Sequence, residues 1–130
     1  RGDHAIFSDT TYIAAYRLLN QILPEKYGVE TSLVDMSDPQ NVRDAIRPNT
    51  KLVHIETPAN PTLKVSDIAT IAGIAHTAGA LLSVDNTFNS PFNVRPADLG
   101  ADIVIESLTK YINGHGDAQR APTRSASRIR

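Results

Sequence analysis

Cysteine is absent from the 130 residues. That excludes a disulfide framework, a thiolate metal site and a thiol nucleophile, and it fits a reducing compartment. No apolar run is long enough for a membrane-spanning helix. No starting Met and no signal peptide precede "RGDHAIFSD", which enters directly into a strand-like stretch and reads as the interior of a longer protein. No G-x-G-x-x-G follows a strand candidate, which disfavours a nucleotide-binding module. His4, His54, His76 and His115 are scattered, with no pair at metal-ligand spacing, so no metal site is expected.

Acidic residues are missing from 118–130, where four Arg stand. The net charge of the whole chain is −1, and without that tail nine basic residues face fourteen acidic ones. The body is therefore acidic and has no electrostatic footprint for nucleic acid. The tail lacks apolar periodicity and is expected to be a disordered segment outside the folded domain.

What is present is an alternation of strands and helices. "HAIFS" (4–8), "VETSLVD" (29–35), "KLVHIE" (51–56), "ALLSVD" (80–85) and "ADIVIES" (101–107) read as strands. Between them, 10–23 carries Ile13, Tyr16, Leu19 and Leu23 on one helical face, with Asp9 or Thr10 as N-cap and Pro24 and Gly28 as stops. A short helix over 38–46 starts with Asp38 as cap and Pro39 in its first turn. A third helix over 66–79 has Ser66 as cap and Gly79 at its end. A helical turn fits 95–100. Buried strands without clean alternation, separated by helices, predict an α/β fold: a mostly parallel sheet with helices on both faces.

In open α/β sheets, ligands bind outside the carboxyl ends of the strands. Glu56, Pro58 and Asn60 follow the third strand. Asp85, Asn86 and Thr87 follow the fourth, and Ser107, Thr109 and Lys110 the fifth. A carboxylate in such a crevice can pair with a protonated ring nitrogen. A buried lysine with a lowered pKa can attack a carbonyl and form a Schiff base. Hydroxyls beside it can bind phosphate oxygens. An aldehyde, a pyridine nitrogen and a phosphate in one molecule describe pyridoxal phosphate. Taken singly, each residue has a plainer reading. Asp85 can cap a turn, Ser107 and Thr109 can satisfy loop backbone, Asn60 can form a turn, and Lys110 can be a solvated surface cation.

"HIETPANPT" (54–62), "SVDNTFNSPF" (83–92) and "RPADLGADIVIESLTKYINGHGD" (95–117) resemble the pyridoxal-phosphate enzymes of cysteine and methionine metabolism, the trans-sulfuration family of cystathionine γ-lyase, methionine γ-lyase and cystathionine γ-synthase. The resemblance covers about residues 2–117. It implies part of the large cofactor domain of a fold-type I enzyme, with pyridoxal 5'-phosphate as cofactor. Lys110 then holds the cofactor as an aldimine and shuttles protons. Asp85 pairs with the ring nitrogen, Ser107 and Thr109 bind the phosphate, and Asn60 binds the ring hydroxyl. Tyr12 stacks on the ring and can act in proton transfer.

The same resemblance implies γ-elimination on a small sulfur amino acid such as cystathionine or methionine, by a cytoplasmic homotetramer without nucleic-acid or membrane partners. O-acyl-homoserine γ-replacement is the alternative within the family. A catalytically incomplete, nonenzymatic fragment is the alternative outside it. The family's glycine-containing phosphate loop, N-terminal arm and C-terminal domain lie outside the matched stretch. After "GHGDA" this sequence departs from the family pattern, so the chain is expected to be a piece of the cofactor domain that is inactive alone.

Overall fold

The computed structural model describes residues 1–115 and, as backbone, Thr123–Ser125. Five strands run parallel in the order β2-β1-β3-β4-β5: β1 (His4–Ser8), β2 (Glu30–Val34), β3 (Thr50–Glu56), β4 (Leu81–Asp85) and β5 (Ile103–Ile105). Thr123–Ser125 forms β6, antiparallel to β5 at the sheet edge. The backbone groups of these three residues pair with the otherwise open edge of β5. The rest of the 118–130 tail lies outside the described residues.

One face of the sheet carries the main core. Ile6, Val53, Ile55, Leu82 and Val84 from the strands meet α2 (Pro39–Ala45) and α3 (Ile68–Thr77) through Val42 and Ile71, all without solvent exposure. Each such side chain contributes about 1.5–3 kcal/mol by leaving water. The other face is covered by α1 (Ile13–Arg17), which widens into π-type turns over Leu18–Tyr27. Leu19 and Leu23 pack there against Ala5, Phe7, Leu33 and Leu52.

Three helix boundaries differ from the expectation. Helix α1 starts later, with Tyr12 at the N-cap position and no side chain of its own turn closing it. Instead the Tyr12 N–H donates to Glu56 at the end of β3. The helical path also runs past Pro24 to Gly28, which ends it at φ 62°, a left-handed angle that glycine takes without strain. In a π-type turn the N–H of residue 24 would bond to the carbonyl of residue 19. Proline has no N–H, and the Leu19 carbonyl accepts from Thr31 Oγ1 at 3.2 Å instead. For α3 the cap is Asp67, whose carboxylate accepts from Thr70 N at 3.0 Å. Ser66 is buried and its N–H is engaged by Thr57 Oγ1 at 3.0 Å. The Asp38 cap of α2 stands as expected, accepting from Gln40 N at 2.9 Å.

A short 3-10 turn, Pro96–Leu99, leads through Gly100 into β5. Gly100 has φ 99°, and a Cβ built there would lie 2.9 Å from the Ala72 Cβ of α3. No described helix is long and apolar enough to cross a membrane.

Candidate functional site at the carboxyl edge of the sheet

The strand order reverses between β1 and β3, because β1 feeds β2 on one side and β3 lies on the other. This is the switch point where open α/β sheets form their ligand crevice. Glu56 ends β3 beside it. In the β3–β4 register Glu56 pairs with Asp85, and Asp85 in turn pairs with Ile105 of β5. Ser107, Thr109 and Lys110 follow Ile105 on that same edge. Sheet geometry thus brings the Asp85 and Lys110 segments onto neighbouring strand ends.

Asp85 is half-buried, and its Oδ1 accepts the Thr87 N–H at 2.9 Å. Thr87 Oγ1 then accepts the Ser107 N–H at 2.9 Å. A short polar chain therefore ties the end of β4 to the end of β5. Ser107 and Thr109 are half-buried. Ser107 precedes a π-type turn, Leu108–Ile112, within which Lys110 departs from helical geometry at φ −99°, ψ −123°. Lys110 is exposed, not buried as the sequence reasoning expected. Its turn follows directly on the end of β5.

Tyr12 stands between β1 and α1, with 59% of its surface open. Asn60 lies in the 57–64 loop, also exposed. Their main-chain N–H groups meet on one carboxylate. Tyr12 N donates to Glu56 Oε2 at 3.0 Å and Asn60 N to Glu56 Oε1 at 2.9 Å. Glu56 is 7% exposed. Burial pushes its carboxyl up from the usual range, and the negative charge of Asp85 acts in the same sense, while the two N–H donors and the Thr11 hydroxyl oppose the shift.

A second buried acid, Glu106, accepts from Asn86 Nδ2 at 2.8 Å. Burial pushes it up too. The bridging by Glu56, and the Thr87 and Asn86 links between strand ends, escaped the sequence reading. Glu56 was visible there as a strand-end acid, but its Tyr12 partner is 44 residues away.

Three of the histidines sit in structural bonds. His4 lies between Thr50 and Ser32, His54 Nδ1 is 3.1 Å from Ser83 Oγ, and His76 Nε2 is 2.8 Å from Asp102 Oδ2. Among the described residues, no group of three or more potential ligands could hold a metal ion.

The model of the Cys/Met metabolism pyridoxal-phosphate-dependent enzymes matches residues 1–120. The chain belongs to this family. Among the relatives of this Cys/Met metabolism segment is the canavanine gamma-lyase of Rhizobium leguminosarum bv. trifolii, 60% identical over 117 residues, which are 90% of this chain and 29% of that protein. The cystathionine gamma-lyase of Bacillus subtilis is 50% identical over 116 residues, covering 89% of this chain and 30% of that protein. A probable cystathionine gamma-synthase of Herpetosiphon aurantiacus is also 50% identical, with 89% of this chain and 36% of that protein covered. The crystal structure of cystathionine gamma-lyase from Lactobacillus plantarum, complexed with L-serine, superposes with a TM-score of 0.93 at 39% identity. That match spans 97% of this chain and 33% of the solved one. The chain thus spans about a third of the length of the relatives it matches, and the family's cofactor is pyridoxal phosphate.

Proposed function

We propose that this chain supplies the cofactor-holding edge of a pyridoxal-phosphate-dependent γ-lyase. Its substrate is a small amino acid with a leaving group on Cγ: a sulfur amino acid of the cystathionine or methionine type, or canavanine. The observation that carries the reading is the meeting of the Asp85 and Lys110 segments on adjacent parallel strand ends, within a stretch that matches the family over 1–120.

The donor set there fits the cofactor chemically. It offers a carboxylate, hydroxyls, an amide side chain and a solvent-accessible primary amine. Asp85 is assigned to the ring nitrogen, Ser107 and Thr109 to the phosphate, Asn60 to the ring oxygen, and Tyr12 to the ring face. Lys110 supplies the amine that holds the cofactor covalently and, once released, takes the α-proton of the substrate and returns a proton further along its chain. Bound pyridoxal phosphate supplies an electron-accepting pyridine ring. The Asp85 carboxylate keeps that ring nitrogen protonated. The net reaction, with water, breaks the Cγ–heteroatom bond and releases the γ-substituent, ammonia and a keto acid.

γ-Replacement on an O-acyl-homoserine is the second reading, favoured by the equal identity of the probable cystathionine gamma-synthase. Homotetrameric assembly in the cytoplasm rests on the family resemblance. The exposed Ile13, Tyr16, Leu18 and Phe92 support burial of these side chains against further protein.

The test is borohydride reduction of the intact protein with pyridoxal phosphate, followed by mapping of the modified lysine. Label on Lys110 is expected. Label on Lys26, Lys51 or Lys64 with Lys110 free overturns the assignment. Keto acid release across cystathionine, methionine and canavanine, against O-acyl-homoserine plus a thiol, separates elimination from replacement.

A further inference from the structure

Glu56 is an expensive residue to place where it is. A carboxylate that is 7% exposed gives up most of its hydration, and this is tolerated only where strong donors replace water. Two of the donors are main-chain N–H groups, one on each oxygen, and the Thr11 hydroxyl, next to Tyr12, adds to them. They come from two different loops. Tyr12 follows β1, and Asn60 follows β3.

A simple helix cap needs one such bond, and Glu56 does serve that end for α1, whose N-cap residue has no side-chain cap of its own. The second bond, to Asn60, contributes nothing to α1. It fixes the other loop to the same carboxylate. Glu56 is itself held in the β3–β4 ladder, in register with Asp85. A single strand end thus gives Tyr12, Asn60 and Asp85 a common frame across the switch point.

We propose that Glu56 is a positioning residue that sets the spacing of Tyr12 and Asn60, and thereby pre-forms the pocket for the pyridine ring. The inference rests on the cofactor reading above and deepens it. Glu56 touches neither substrate nor ring in this account. It acts through the backbone of two residues that do. The advantage is entropic: two exposed loop residues are held at a fixed separation before the ligand arrives.

The experiment uses the intact protein and titrates pyridoxal phosphate by its absorbance, with borohydride labelling of Lys110 in the wild type as the starting control. A wild type that does not label Lys110 refutes the cofactor reading itself. Given that label, Glu56→Gln keeps the shape but turns one acceptor into a donor facing an N–H. It is expected to weaken cofactor binding tenfold or more. In a Tyr12→Ala, Asn60→Ala background, where neither side chain that Glu56 is proposed to position remains, the same change is expected to alter binding less than twofold.

Equal weakening in both backgrounds would assign Glu56 a general structural role and overturn the proposal, as would unchanged binding in the single variant. Thermal melts without cofactor report folding separately. If Glu56→Gln does not fold, Glu56→Asp, which withdraws both oxygens by one methylene, is carried through the same cycle and judged by the same two outcomes.

Discussion

Thr87 Oγ1 accepts the Ser107 N–H at 2.9 Å, so the hydroxyl of one strand-end loop fixes the backbone of the next. The Thr87 N–H is itself held by Asp85. The residue assigned to the ring nitrogen and a residue assigned to the phosphate are therefore linked through one threonine.

Thr87→Val keeps the shape and removes the acceptor. It is expected to lower stability by about 1 kcal/mol, the net worth of one such bond, and to weaken cofactor retention. Thr87→Ser is expected to restore both. Urea melts paired with cofactor titration measure this; a valine variant indistinguishable from wild type would show the link to be idle.

Asp85→Asn removes the charge and keeps an oxygen for the Thr87 N–H. Borohydride should still label Lys110, while kcat for keto acid release falls about 10²–10³-fold, the scale of losing one preorganised electrostatic group. Turnover within a few fold of wild type would refute the assigned role at the ring nitrogen.

Asp67→Ala is expected to destabilise the protein by about 1 kcal/mol through loss of the α3 cap, and Ser66→Ala by less, since the Ser66 contact that orders this turn is made by its backbone N–H. Parallel denaturant melts decide which residue closes the helix. The reverse order would return the cap to Ser66.

Lys64 reaches across three loops, 2.7 Å from Asp35 Oδ2 and 3.3 Å from Asp9 Oδ2. The Lys64 ammonium, with Ser37, holds the Asp35 carboxyl down to about 2. An aspartate of ordinary pKa near 3.9 in the unfolded chain binds protons there more readily than in the fold. Its contribution is present above about pH 4 and is lost as pH falls towards 2. Lys64→Met should flatten the fall in Tm between those limits. The pair is partly exposed, so the effect is small and shrinks with added salt. A Tm profile unchanged by Lys64→Met would remove Lys64 from the account.

What the sequence disclosed follows from the range of the interactions involved. Asp38 and Pro39 announce α2 because cap and helix are adjacent. The strands were legible as apolar runs, and the strand-end rule brought Asp85 and Lys110 to one edge. Helix α1 was misjudged at both ends for one reason. Its start is capped by Glu56, 44 residues on, and its passage through Pro24 is relieved by Thr31 from the next strand. Ser66 looked like a cap until Thr57, nine residues earlier, engaged its N–H. The exposure of Lys110 was illegible too, because local sequence does not say which neighbours will cover a turn.

Position 100 carries a consequence for how the layers stack. With only a hydrogen where other residues have a carbon, Gly100 lets the chain entering β5 nestle against Ala72. Alanine there would act as a wedge, prising α3 from the sheet it shields and tilting the strand whose far end delivers Ser107. The close fit at position 100 and the turn that carries Ser107 thus sit at the two ends of one short strand.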